Sequence, residues 1–143
     1  MSVRYLLDKS AFARWPKPNV APRLDSLSRQ GLLAICGAIE IEIAYSARSK
    51  ADVDRIQEGL RGFDWLPTPD EVWDRAAEVQ RTLAANGNWR AVSGTDLVIA
   101  ATAERHGATV LHYDGDYDMI AEVTGQPMEW VAPAGTADLT LPG

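Results

Sequence analysis

The sequence contains a single cysteine and only two histidines. Cys36 alone can form neither an intramolecular disulfide nor a cysteine-based zinc site, and it reads as a small buried apolar residue. His106 and His112 lack metal-ligand spacing and read as core or surface residues. Apolar runs are short, and the amino terminus MSVRYLLDKS has neither the basic start nor the long apolar stretch of a signal peptide. A soluble, cytoplasmic chain with no membrane partner is therefore expected. There is no glycine-rich phosphate loop, and chain order places no His/Asp arrangement beside Ser10, Ser46 or Ser93 that would make one a nucleophile. Positive charge is also scarce: 14 Lys and Arg against 20 Asp and Glu leave a net charge of −6. That balance argues against a domain that holds nucleic acid by bulk attraction. The objection weakens if several carboxylates converge on a metal, because a bound cation reverses the local field. Arg14, Lys17, Arg48, Lys50 and Arg55 then remain as candidates for a phosphate-facing rim.

What is present is one domain's length, 143 residues, with 46% apolar content, enough for a core. Residues 3–7, VRYLL, form an apolar run ending at Asp8, and KSAFARW can start a helix with Asp8 as its cap. NVAPRLDSLSRQG spaces Val20, Leu24 and Leu27 helically and stops at Gly31. LLAIC reads as a buried strand, and AIEIEIAYSARS fits either period. A helix is expected from Lys50 to Leu60 and a short strand at FDWLP. TPDEVWDRAAEVQRTLAANG reads as a helix with a Thr68 cap, Pro69 in its first turn and a stop at Asn86-Gly87. SGTDLVIAATAERHG is another helix, ATVLHY a strand leading into DGDYDMIAEVTG, and PMEWV the last strand. The remainder, APAGTADLTLPG, reads as a loose tail, so the expected division is a domain over 1–131 and a tail over 132–143. Trp73 and Trp130 are expected as core or half-buried anchors. Alternating strands and helices imply an α/β domain with a mainly parallel sheet, whose sites lie beyond the carboxyl ends of its strands.

The carboxylates carry the functional signal. Asp8 could simply cap the next helix, but a strand that ends in a carboxylate delivers it to the edge where ligands bind. In a helical AIEIEIAYS, Glu42 lies within an apolar face, between Ile41, Tyr45 and Ala38 on one side and Ile39 and Ile43 on the other. Glu40 projects away from that face. A buried, unpaired carboxylate is costly, so Glu42 requires an explanation; as a strand, both acids would share one exposed face. Ser93-Gly94-Thr95-Asp96 fits a capping box, yet Asp96 shares a face with Ile99, Ala100 and Ala103 and would reach the inner edge of the domain. Asp114, Asp116 and Asp118 alternate in YDGDYDM. Three acids so close repel one another, and a hard cation preferring oxygen ligands would relieve that repulsion. The Gly and Glu of a calcium-binding loop are missing from this segment.

Together YLLDKSA, IEIEIAYSAR, TDLVIAATAERHGATVLHYDGDYDMIA and TGQPMEWV resemble the PIN-domain toxins of bacterial VapBC toxin-antitoxin systems, from Val3 to about Val131. The resemblance implies a three-layer α/β/α fold and an acidic set, Asp8, Glu42, Asp96 and Asp114 or Asp116, that binds Mg²⁺ or Mn²⁺ for cleavage of single-stranded RNA. The family places its Glu four residues before a small residue, here Ser46, which again selects Glu42. Lys9 departs from the Thr that many relatives carry after the first Asp; it could neutralise acids or contact phosphate, with Ser10 available as a supporting hydroxyl. A homodimer, a cognate VapB antitoxin and a tRNA or rRNA target are further implications. The expected metal ligands are Asp8, Asp96, Asp114 and Asp116, with Glu42 on the attacking water. Two alternatives stand beside this. One is a Mg²⁺-dependent phosphatase or phosphotransferase, which commonly wants a second Asp where Ser10 stands. The other is an acidic interaction domain that cuts nothing.

Overall fold

The computed structural model describes residues 4–138. Five strands form one parallel sheet: β1 (Tyr5–Leu7), β2 (Leu33–Ile35), β3 (Asp64–Trp65), β4 (Thr109–His112) and β5 (Met128–Trp130), in the order β3-β2-β1-β4-β5. The central strands are three or four residues long and almost wholly buried, which is why they read as short apolar runs without alternation. In register, Leu6 faces Ala34 and Val110 across the ladder, and Leu7 pairs with Leu111.

Successive residues point to opposite faces of a strand, and each face has its own core. Leu7, Leu33 and Leu111 pack with Leu24 and Leu27 of α2 (Ala21–Arg29), with Val20 at its N-cap and with Ala11 of α1 (Lys9–Phe12). Leu6, Ala34 and Val110 pack with α3 (Gly37–Tyr45), α5 (Asp70–Ala85), α6 (Gly94–His106) and α7 (Asp116–Thr124), through residues such as Ile39, Val79, Leu83, Ile99 and Ile120. Helices therefore cover both faces of the sheet, the three-layer arrangement expected. α4 (Lys50–Leu60) follows α3 and begins at Ser49, whose hydroxyl accepts the Asp52 N–H at 3.1 Å.

The strand order creates the feature that positions the site. From β1 the chain builds outward through β2 to β3, then returns by α5 and α6 to β4 on the other side of β1. Connections diverge between β1 and β4, and the carboxyl ends of those two strands open a crevice there.

Three expectations need correction. Thr68 does not cap α5: Pro69 occupies the N-cap position in an extended conformation, as its ring favours, and the Thr68 hydroxyl instead meets that of buried Thr102 at 3.2 Å. Trp73 is not a core anchor; it lies on the outward side of α5 and is 58% exposed. Residues 132–138 are not loose. Asn19 Nδ2 donates to the Thr136 carbonyl at 2.6 Å, the Ala137 N–H donates to the Tyr113 hydroxyl at 2.9 Å, and Ala132 and Ala137 are buried. The rest of the expected tail, 139–143, and Val3 of the first strand lie outside the described residues. Among the described residues no helix is long and apolar enough to cross a membrane.

Candidate active site

Asp8 leaves β1 with its N–H bonded to the Leu111 carbonyl at 3.0 Å, which places its carboxylate between the ends of β1 and β4. It does cap α1: Oδ2 accepts from Ser10 N at 3.0 Å and from Ser10 Oγ at 2.5 Å. Ser10 Oγ in turn accepts the Tyr113 N–H at 2.8 Å, tying the two strand exits together. Capping and site placement thus coincide at Asp8, which is only 3% exposed.

Asp96 is the third residue of α6, and Ser93 Oγ accepts its N–H at 3.1 Å, so half of the expected capping box is present. The other half is not: among the described residues the Asp96 carboxylate makes no bond to Ser93. It turns inward, 3.2 Å from the Tyr117 hydroxyl and 6% exposed, because the first turn of α6 lies over the crevice.

The ambiguous AIEIEIAYS segment is helical, as α3. Glu42 is half-buried, but its apolar surroundings are divided: Ile39 and Ile43 face the core, whereas Ile41 is 71% and Tyr45 88% exposed. Glu42 therefore marks the boundary between the core and an open apolar surface rather than lying inside one buried face.

Beyond β4, the Asp114 N–H donates to His112 Nδ1 at 3.1 Å, and Asp114 Oδ1 accepts the Asp116 N–H at 2.9 Å, opening α7. Asp118 turns away, its carboxylate accepting from Trp130 Nε1 at 3.2 Å. Oxygen atoms of Asp8, Glu42 and Asp96 lie within 4.8 Å of one another, and so do those of Asp96, Asp114 and Asp116. The structure thus brings together all five acids singled out in the sequence, in two groups that share Asp96.

The electrostatics follow from this crowding. Burial, then the charges of Asp8 and Asp114, push Asp96 up to about 7. Burial and the Asp8 charge raise Glu42, with Lys9 partly opposing, and burial followed by Asp114 raises Asp116. Among the described residues none of the five has a Lys or Arg nitrogen within 4.0 Å. A set of oxygen donors without paired cations is the donor chemistry of a hard divalent ion, so these residues fit Mg²⁺ or Mn²⁺. Asp8, Glu42, Asp96 and Asp114 line a cavity of about 220 Å³ with Lys9, Ser10 and Arg14. Arg14 lies over the Tyr113 ring at 4.5 Å and donates to the Ser10 carbonyl at 2.8 Å. Of the other rim candidates, Lys17, Lys50 and Arg55 pair with Asp138, Asp54 and Asp52, and Arg48 does not line the cavity.

His112 is fully buried against Tyr117 and Trp130, at 4.9 and 5.0 Å between rings, and burial lowers its pKa. His106 Nε2 lies 2.7 Å from the Pro67 carbonyl. Neither faces the acidic cavity. The residue that sequence reasoning missed is Tyr117, fully buried, whose hydroxyl donates to Asp8 Oδ1 at 2.7 Å. Its only signal is an aromatic residue between two acids, and that pattern does not say which way the ring turns.

Comparison with known proteins identifies the family. A model of the PIN domain matches residues 5–123. Ribonuclease VapC21 of Mycobacterium tuberculosis is 48% identical over 138 residues, 96% of this chain and 100% of its own length. Ribonuclease VapC51 of the same organism is 41% identical over the same shares. Among solved structures, a DNA-bound VapBC from Salmonella typhimurium superposes with a TM-score of 0.72 at 16% identity, covering 92% of this chain and 100% of that one. VapBC2 of Rickettsia felis gives 0.73 at 16% identity, over 90% and 98%. The acidic crevice at the switch point of a five-stranded parallel sheet, with relatives matched along almost the whole chain, places this protein in the PIN-domain family, among the VapC ribonucleases.

Proposed function

We propose that this VapC-type ribonuclease is a Mg²⁺- or Mn²⁺-dependent endoribonuclease acting in the cytoplasm on single-stranded regions of tRNA or rRNA, as the toxin of a type II toxin-antitoxin pair. The observation that carries this reading is the oxygen-only cluster without ion pairs, in which Asp96 belongs to both groups of three. Asp8 and Asp96 would hold the cation, with Asp114 and Asp116 completing its shell directly or through water. A bound divalent cation supplies charge neutralisation for phosphate oxygens and a more acidic water. Glu42, raised by its surroundings, orients the attacking water and accepts its proton. Lys9 and Arg14 on the cavity wall face the phosphodiester's negative charge.

Two rivals are disfavoured by particular contacts. A phosphatase wants a second Asp at position 10, where the Ser10 hydroxyl is engaged with Asp8 and the Tyr113 N–H. A surface that only binds basic partners would display its acids, whereas Asp8 and Asp96 are buried. The solved relatives are VapBC complexes, which supports a VapB-type antitoxin as partner here. Exposed Ile41, Tyr45 and Trp73 offer an apolar surface suited to a second copy of the chain. The test is growth on expression of wild type and Asp8→Asn, paired with hydrolysis assays on single-stranded RNA and on a phosphate monoester. Growth arrest and RNA cleavage by wild type alone are expected. Equal arrest by both proteins, or turnover of the monoester in preference to RNA, would overturn the assignment.

A further inference from the structure

Tyr117 is a fully buried polar side chain that the steps above leave unused. It is the second residue of α7, and its hydroxyl lies 2.7 Å from Asp8 Oδ1 and 3.2 Å from Asp96 Oδ1. Those carboxylates arrive from different elements, the end of β1 and the first turn of α6, 88 positions apart by their residue numbers. Removing a hydroxyl from water is costly unless it finds a partner, and a phenylalanine would fill the same space without that cost. The partner is as strong as a neutral donor can find, since a charged acceptor roughly doubles the strength of a hydrogen bond.

The contacts around the ring also have a direction. Ser10 N and Oγ already bind Asp8 Oδ2, so Tyr117 on Oδ1 completes the restraint of that carboxylate. The hydroxyl has one hydrogen, so its contacts at 2.7 Å to Asp8 Oδ1 and 3.2 Å to Asp96 Oδ1 share it as a three-centre bond, and among the described residues no other hydroxyl or N–H is bonded to the Asp96 carboxylate. The ring packs on His112, whose Nδ1 accepts the Asp114 N–H, so the segment bearing Asp114 is tied to the same unit.

We propose that Tyr117 is a positioning residue whose hydroxyl joins Asp8 and Asp96 through their Oδ1 atoms and so holds both carboxylates in the arrangement that takes the divalent cation. The proposal rests on the metal-dependent reading above. Loss of a group that orients metal ligands typically lowers metal affinity or activity 10- to 100-fold, whereas a hydroxyl that serves only packing would leave affinity unchanged.

The experiment is direct Mn²⁺ titration, by the EPR signal of the free ion, of wild type, Tyr117→Phe, Tyr113→Phe and Asp96→Asn. Tyr113 is the control, because its hydroxyl serves the Ala137 N–H and touches neither carboxylate. The expected result is a Kd raised about tenfold or more in Tyr117→Phe and unchanged in Tyr113→Phe. Should Tyr117→Phe be less stable, its melting-temperature shift at a fixed, subsaturating Mn²⁺ concentration reads the same coupling, and a smaller shift than that of wild type is expected. Wild-type affinity or an equal shift in Tyr117→Phe, beside weakened Asp96→Asn, overturns this role for Tyr117 alone. A wild-type protein that binds no Mn²⁺ overturns the metal reading together with it.

Discussion

Asp96 concentrates the conflict on which the site is built. It is buried among other acids, and removing it from water disfavours the charged form that a cation requires. With its pKa raised to about 7, the metal-free folded protein holds a proton that the unfolded chain releases near its ordinary value. Asp96 should therefore make the stability of the metal-free protein fall as pH rises from about 4 to about 7, contributing at most about 1.4 kcal/mol per pH unit. Buried His112 works in the opposite sense: its lowered pKa makes stability rise with pH up to its ordinary value. Urea unfolding in chelator at pH 5 and pH 7.5 separates the two, since Asp96→Asn should reduce the fall to the share of Glu42 and Asp116, which are raised as well, and keep the His112 contribution. Asp8 was legible in the sequence from its place at a strand end, and Glu42 only in part from its helical face, because Ile41 and Tyr45 on one side of it are exposed. Tyr117 was not, because its hydroxyl's partners lie 109 and 21 residues away and nothing local selects them.

Elements bring these residues together by how they begin and end. Ser93 caps α6 and fixes the turn that presents Asp96, while Ser49 caps α4 in the same way away from the cavity. Ser93→Ala and Ser49→Ala should each cost about 1 kcal/mol in urea unfolding. Only Ser93→Ala should also raise the Mg²⁺ concentration needed for half-maximal RNA cleavage, and equal metal requirements would separate the α6 cap from the site. Helix ends were readable where glycine takes a left-handed conformation, as at Gly31 and Gly107, just past α2 and α6. The start of α5 was misread because Thr68 and Pro69 satisfy capping rules at adjacent positions, and contact with Thr102 on another helix decides between them. The period of α3 was ambiguous because Ile39 and Ile43 meet the core while Ile41 and Tyr45 point outward, making the helix apolar on opposite sides.

At the scale of the whole molecule, the net charge of −6 ceases to oppose a nucleic-acid substrate. Setting aside the five carboxylates of the crevice, the remaining acids nearly balance the 14 Lys and Arg. The negative excess is thus concentrated where a cation would neutralise it, beside Lys9 and Arg14. Strand order supplies the location, since only the divergence between β1 and β4 lets Asp8 and Asp114 leave adjacent strands on the same edge, under the start of α6. A mainly parallel sheet could be expected from alternating elements, but its strand order and the meeting of the two acid triads at Asp96 depend on packing that no local pattern encodes. The central claim is that these acids act through a divalent cation on RNA. Its most direct test is the cleavage rate of one single-stranded RNA by wild type and Asp96→Asn, in chelator and after Mg²⁺ is restored. The account predicts cleavage by wild type only with Mg²⁺ and a rate at least about a hundredfold lower in Asp96→Asn; cleavage that persists in chelator, or that Asp96→Asn performs at the wild-type rate, would contradict it.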